Sequence, residues 1–141
     1  MDLVASLDAP CSPDVLFRWV DDLASYPQWL TIVTRAEPLA ADPPAWIVDL
    51  RGRLGPLARS KRLRMTRTQS ELGRLAVFER AEDDGRHHSP WILRAEVTPT
   101  DTGSHLRMSL HYGGSLWGPV LERMLRDEVE QGSGRLLALV S

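Results

Sequence analysis

The two ends of this 141-residue chain constrain its fold more than any other feature. Residues 3–9 alternate between apolar and polar side chains, which predicts a strand with one apolar face. Ser12 then caps a predicted helix that has Pro13 at its first position and continues to Trp19. Residues 116–140 carry apolar side chains at helical spacing, which predicts one long amphipathic helix. Only strand-like segments lie between these two ends. This order of elements favours a protein that encloses a small molecule.

The middle of the chain predicts an antiparallel meander. Its segments alternate in polarity and are separated by breaks rich in Gly, Pro and Asp, which is typical of strands joined by short turns. The predicted strands are residues 32–39, 45–54, 58–68, 74–82, 88–98 and 105–113. Alternate residues then share one dry face, as Trp91, Leu93, Ala95 and Val97 do. We expect the long helix to lie across that face.

Composition predicts one domain over residues 1–141. The chain is 43% hydrophobic and 26% charged, which suits one compact core and argues against disorder. Its formal net charge of -2 provides no general attraction for nucleic acid, so we expect no nucleic-acid partner. No apolar run approaches the roughly 20 residues that a membrane span needs.

Cysteine usage and the first residues bear on the cellular location. Cys11 is the single cysteine, so neither an internal disulfide nor a cysteine metal cage can form. The segment 1–3 lacks the charged and apolar regions of a secretory signal. We therefore predict a cytoplasmic protein, either a monomer or a homodimer.

Three segments carry a resemblance to a known superfamily. They are residues 5–10, residues 13–22 and the Tyr-Pro-Gln-Trp segment 26–29. Together with the order of elements, they make the chain similar to the START-like superfamily, also called Bet v 1-like or SRPBCC, and to its bacterial polyketide cyclase/dehydrase-like members. The resemblance implies an α+β helix-grip fold, with a curved seven-stranded antiparallel sheet around the C-terminal helix and two short helices after the first strand.

The resemblance also implies an apolar cavity between the sheet and the last helix, which holds a lipid, a polyketide or another hydrophobic ligand. The side chains that we expect to line it are Trp46, Met65, Phe78, Trp91, Met108, Tyr112 and Met124. Tyr112 would fix the orientation of the ligand. Large aromatic and methionine side chains also fill ordinary cores, so core packing is the alternative for each of them.

An enzyme using the same cavity is the second hypothesis. A cyclase or dehydratase would need an acid or base. The candidates are Tyr112, on the inward face of the last strand, and His87, which would share a strand face with Trp91. We favour a non-catalytic binder, because few polar groups fall on the faces that we assign inward. The histidine spacing does not suit a metal site, and neither a P-loop nor a nucleophile elbow is present, so we expect no cofactor.

A basic run supports a third hypothesis. Between Asp49 and Glu71 there is no acidic residue, and the basic residues are Arg51, Arg53, Arg59, Lys61, Arg62, Arg64 and Arg67. The run contains no aromatic side chain for base stacking. We favour a solvated face paired with Glu79, Glu82, Asp83 and Asp84 of the next predicted strand and turn. The alternatives are a surface that binds another protein, an anionic ligand headgroup or nucleic acid.

Overall fold

Seven antiparallel strands form one sheet that is accompanied by a long C-terminal helix. The computed structural model describes residues 1–54, 56–113 and 118–141, without the side chains of residues 53, 54, 57 and 118–121. The strands are β1 (Asp2–Ala9), β2 (Val33–Leu39), β3 (Ala45–Leu54), β4 (Leu57–Glu71), β5 (Leu75–Arg80), β6 (Trp91–Thr100) and β7 (Gly103–Tyr112). The helices are α1 (Pro13–Phe17), a 3₁₀ helix (Leu23–Gln28) and α2 (Gly118–Val140).

The strand order, together with the contacts of α2, shows that the sheet is curved. The order is β1-β7-β6-β5-β4-β3-β2, so β1 forms one edge and β2 the other. α2 nevertheless packs against both β1 and β3, which lie at opposite sides of the sheet. A flat sheet could not bring these strands to one helix, so the sheet curls and α2 lies across its concave face. The predicted α+β helix-grip fold is confirmed.

The first helix is shorter than the sequence indicates. It begins at Pro13 as predicted but ends at Phe17 rather than Trp19. Ser12 occupies the N-cap position, yet its side chain makes no capping hydrogen bond, and its carbonyl accepts from Leu16 N at 3.2 Å. After Phe17 the amide of Trp19 donates to the Leu16 carbonyl three residues earlier, which tightens the last turn and ends the α-helix.

The loop before β6 corrects two predicted strand boundaries. β5 stops at Arg80 and β6 starts at Trp91, whereas the predicted strands extend to 82 and begin at 88. Side chains hold residues 81–90 outside the sheet: His88 Nε2 lies 2.9 Å from Asp84 Oδ2, and Arg80 reaches His88 Nδ1 at 3.3 Å. Pro90 adds a residue that has no amide hydrogen for a strand ladder.

α2 ends at Val140 as predicted, and the first two residues of the predicted helix, 116 and 117, lie outside the described residues. The sequence predicts a close backbone approach or a bend at Gly132 and Gly134. A Cβ at Gly132 would lie 3.0 Å from the Trp29 carbonyl oxygen, whereas one at Gly134 would meet nothing within 4 Å. Gly132 therefore lets α2 approach the end of the 3₁₀ helix. In the described chain, no helix is both long enough and apolar enough to span a membrane.

A filled aromatic core occupies part of the concave face. The Phe78 ring is fully buried and meets the Trp46 ring edge-on at 5.5 Å between centroids. Tyr26, from the 3₁₀ helix, packs on the same Phe78 ring at 6.4 Å. The 3₁₀ helix therefore closes this part of the concave face and leaves the remainder to α2.

Candidate functional site

A cavity of about 540 Å³ lies between the concave face of the sheet and α2. One wall comes from β1 and β7, whose inward residues pair directly: Leu3 with Leu110, Ala5 with Met108, and Leu7 with Leu106. Because side chains alternate across a strand, these pairs all face the same side. The apolar alternation at the N-terminus thus supplies part of this cavity wall.

The opposite wall comes from β3 and β4. Val48 pairs with Leu63, and the neighbouring Leu50 and Met65 also border the cavity. Above them α2 contributes the apolar residues at helical spacing Leu125, Val129 and Leu136. Further apolar contacts come from Trp91 and Leu93 of β6 and from Leu23, Trp29, Leu30, Ile32 and Val33. Leucine, methionine, valine and tryptophan thus make most of the surface that a ligand would touch.

Two polar groups in the wall are already hydrogen-bonded within the protein. Tyr26 donates its hydroxyl to the Val20 carbonyl at 2.9 Å, and Trp29 donates Nε1–H to the Trp19 carbonyl at 3.2 Å. Burial raises the pKa of Tyr26 far above its usual value, so its hydroxyl stays protonated. Neither group is available as a proton donor or base toward a ligand.

The exposed part of the cavity lining, which we call the mouth, includes residues of β1 and α2. The lining there includes exposed residues, among them Val4 at 53% exposure together with Arg126 and Glu130. Arg126 is paired with Glu122 at 2.8 Å, and the Ser133 hydroxyl donates to the Val129 carbonyl at 2.9 Å.

Glu128 also belongs to the lining, where it accepts a hydrogen bond from Thr31 Oγ1 at 3.0 Å. The charged lining residues among those described are Arg126, Glu128 and Glu130. Acidic side chains therefore outnumber basic ones there.

Of the side chains that the sequence predicts as lining, Met65, Trp91 and Met108 border the cavity. Trp46 and Phe78 instead lie in the filled aromatic core, where Trp46 Nε1 donates to Asp22 Oδ1 at 3.0 Å. They share the inward face as expected, but the 3₁₀ helix covers that part of it. Their role in ligand binding, like that of the three lining residues, stays a prediction.

Tyr112 lies behind Trp91 rather than in the cavity wall. Its ring stacks on Trp91 at 5.0 Å between centroids, and its hydroxyl contacts Met1 Sδ at 3.1 Å. Burial, and to a smaller extent the charge of Glu122, raises the pKa of Tyr112. Tyr112 thus supports Trp91, and a role in orienting a ligand or in catalysis stays a prediction.

Met124 packs on β3 outside the cavity lining. A Cβ at Gly52 would lie only 2.5 Å from Met124 Sδ, so the absence of a side chain at Gly52 makes room for this methionine. Met124 therefore links α2 to β3 beside the cavity.

His87, the second catalytic candidate, is exposed in the loop that precedes β6. The prediction that it shares a strand face with Trp91 is wrong, because β6 begins only at Trp91. Among the residues that the structure describes, no three His, Cys, Asp or Glu side chains gather as metal ligands.

The basic run divides between the two faces of the sheet. Lys61 pairs with Leu50 and so falls on the concave side, whereas Arg62 pairs with Asp49 on the outer side. Desolvation, and then the charge of Arg80, lowers the pKa of Lys61.

The partners of the outer arginines differ from those expected. Arg62 makes two hydrogen bonds to Asp49, at 2.7 and 3.2 Å, rather than pairing with an acid of the next strand. Glu82 does contact β4, but it accepts from the backbone amide of Arg64 at 3.0 Å. The side chain of Arg53 lies outside the described residues.

Sequence reasoning placed the C-terminal helix against the cavity but missed the contribution of Tyr26 and the polar residues of α2 that border it. Tyr26 belongs to the recognised 26–29 segment, but nothing in the alternation of the strands indicates that it borders the cavity. Arg126, Glu130 and Ser133 follow one another at helical spacing on α2, and this pattern is the signal that could have located the mouth.

Comparisons with known proteins agree with this architecture. The family described as polyketide cyclase / dehydrase and lipid transport matches residues 2–141. No curated protein matches the chain significantly.

Solved structures resemble the fold over its whole length. A START superfamily protein from Mycobacterium smegmatis is 16% identical, with a TM-score of 0.75 over 99% of this chain and 96% of its own. Protein CV1439 from Chromobacterium violaceum is also 16% identical, with a TM-score of 0.71 over 99% and 96% of the two chains. Ara h 8.0201 is 10% identical, with a TM-score of 0.66 over 99% and 97%. At these identities the likeness concerns the fold, and it confirms the predicted START-like and Bet v 1-like resemblance.

Proposed function

Because this chain belongs to the polyketide cyclase/dehydrase and lipid transport family, we propose that it binds a hydrophobic small molecule between its sheet and α2. The observation that carries the proposal is the cavity of about 540 Å³ with its mainly apolar wall. This volume falls within the range of roughly 300–1,000 Å³ that is usual for small-molecule sites. Water molecules are poorly stabilised in this cavity, because they find few hydrogen-bond partners there.

Apolar burial would supply most of the binding free energy, at roughly 25 cal/mol per Å² of surface removed from water. The methionines Met65 and Met108 in opposite walls can adapt to ligands of different shape. Polar contacts would come at the mouth, from Arg126, Glu130 and Ser133.

We favour binding over catalysis because the described wall offers few free acid or base groups. The Tyr26 hydroxyl and the Trp29 indole both donate to backbone carbonyls. The catalytic candidates Tyr112 and His87 lie behind Trp91 and in an exposed loop, respectively. The cytoplasmic location and the choice between monomer and homodimer stay predictions.

Binding is testable with a neutral fluorescent probe, N-phenyl-1-naphthylamine. The wild-type protein should enhance its fluorescence with a saturable curve. Ala5→Phe should weaken binding by about tenfold or more, since the larger ring would occupy the space beside Met108. Ala138→Phe makes the same change at an exposed position of α2 and should leave binding unchanged.

Two results would overturn the proposal. One is the absence of saturable binding to the wild-type protein. The other is an equal effect of Ala5→Phe and Ala138→Phe, with circular dichroism establishing that both variants are folded.

A further inference from the structure

We propose that the indole N–H of Trp91 donates a hydrogen bond to a neutral acceptor oxygen, a carbonyl or an ether, on the bound molecule. This inference rests on the proposed function and narrows the class of ligand. The ligand would have an apolar body with an oxygen acceptor held inside the cavity. Trp91 would then set its orientation, the role that the sequence assigns to Tyr112.

The position of Trp91 suits this role. It is the first residue of β6, it borders the cavity, and it is 8% exposed. Its partner across the strands is Tyr112, whose ring stacks on it at an interplanar angle of 25°. Tyr112 is not among the described residues that line the cavity, so its ring packs on the indole from outside the cavity wall. Because the stacking already fixes the indole ring, Trp91 would lose little rotamer freedom when its N–H binds a ligand.

Hydrogen-bond accounting sets Trp91 apart from the other buried aromatic side chains with polar groups. Tyr26 and Trp29 donate to backbone carbonyls, and Trp46 donates to Asp22. Trp91 Nε1 has no hydrogen-bond partner among the residues that the structure describes. The atom is nevertheless reachable by water, since the described buried side-chain nitrogen without a partner is Arg135 Nη1 rather than Trp91 Nε1. Water is therefore its acceptor in the unliganded protein. An acceptor oxygen on the ligand would take the place of that water, whereas an apolar ligand would leave the N–H without a partner.

The charge at the mouth favours a neutral acceptor over a carboxylate. Of the charged lining residues described, Glu128 and Glu130 outnumber Arg126, and Arg126 is already paired with Glu122. A ligand carboxylate entering there would meet like charge and would lose its hydration in an apolar cavity. A ketone, an ester or an ether avoids both costs.

The test uses two probes of nearly the same shape, 2-acetylnaphthalene and 2-isopropenylnaphthalene, which differ by an oxygen acceptor in place of a methylene group. Each probe displaces N-phenyl-1-naphthylamine from the wild-type protein and from Trp91→Phe. Phenylalanine can still stack on Tyr112 but has no N–H. We expect Trp91→Phe to weaken binding of the ketone about tenfold more than binding of the alkene.

Trp29→Phe is the matched control. It also removes an indole N–H from the cavity wall, but this group donates to the Trp19 carbonyl. Its effect on the two probes should therefore be equal. Circular dichroism spectra of both variants establish that they are folded.

The outcomes separate this inference from the proposed function. If the wild-type protein binds neither N-phenyl-1-naphthylamine nor the two naphthalenes, the proposed function fails. If it binds N-phenyl-1-naphthylamine but not the ketone, or if Trp91→Phe affects ketone and alkene equally, the assignment of Trp91 alone is overturned.

Discussion

Asp21 is a half-buried carboxylate in the turn between α1 and the 3₁₀ helix. Desolvation raises its pKa, the nearby cation of Arg67 opposes the rise, and the charge of Asp22 adds to it. Arg67 also donates to the main-chain carbonyl of Asp21 at 3.1 Å, which ties the turn to β4. Because the folded protein holds this proton more tightly than the unfolded chain does, ionised Asp21 costs stability at neutral pH.

Asp21→Asn should therefore be more stable than the wild type at pH 7. The advantage should shrink as the pH falls through the raised folded pKa and disappear below about pH 4, where the unfolded carboxyl is also protonated. Urea unfolding at a series of pH values measures this effect. A gain that persists undiminished at low pH would contradict the explanation.

Asp49→Asn is the control, for which we expect a change in stability of the opposite sign. Its hydrogen bond with Arg62 lowers the pKa of Asp49, so the ionised form stabilises the folded state. The substitution should reduce stability at pH 7, and this loss should fade as the pH falls through the lowered folded pKa.

Single residues also show what sequence alternation can and cannot predict about the site. Met65, Trp91 and Met108 border the cavity, as their places on the inward faces suggest. Trp46 and Phe78 share those faces but lie under Tyr26 and the 3₁₀ helix. A period of two identifies the face of a strand, but it does not reveal which part of that face a neighbouring helix fills.

α2 is the helix that contributes most to the cavity. Its residues form the side opposite the sheet and part of the mouth. It is also the element in which two glycines, only two positions apart, have different surroundings. Gly132 faces the Trp29 carbonyl and the Leu30 side chain, whereas Gly134 faces open space. The missing side chain at Gly132 therefore lets α2 lie close to the end of the 3₁₀ helix.

Gly134→Ala should stabilise the protein by about 1 kcal/mol, because alanine has the higher helix propensity and meets no neighbour. Gly132→Ala should be less stable than Gly134→Ala by about 1–2 kcal/mol, since its methyl would lie 3.0 Å from Trp29 O and 3.1 Å from Leu30 Cδ1. Urea unfolding of both variants measures the difference. Equal gains would mean that α2 does not approach the 3₁₀ helix this closely.

At the level of elements, the sequence predicts more than it does at the site. The strands of the meander and the C-terminal helix follow from hydrophobic period and turn residues, because backbone geometry alone fixes those patterns. The start of β6 does not, since it depends on Arg80 and Asp84 holding His88 across a loop. Side-chain contacts of this kind appear only once the strands are placed next to one another.

The whole molecule is organised around the space between its sheet and α2. The sheet brings β1 and β3 to the same helix, and the 3₁₀ helix fills only part of the concave face. The remaining side chains, mostly leucine, methionine and valine, leave about 540 Å³ between them. A molecule that binds this space in the folded state would also stabilise the fold by mass action.

Native mass spectrometry of the purified protein, after incubation with a total organic extract of cells, tests this account most directly. The account predicts a defined additional mass on the wild-type protein and on Ala138→Phe, released as an apolar compound on organic extraction, and a loss of that mass in Ala5→Phe. The bare protein mass in all three samples would contradict it, as would an additional mass that Ala5→Phe retains in full.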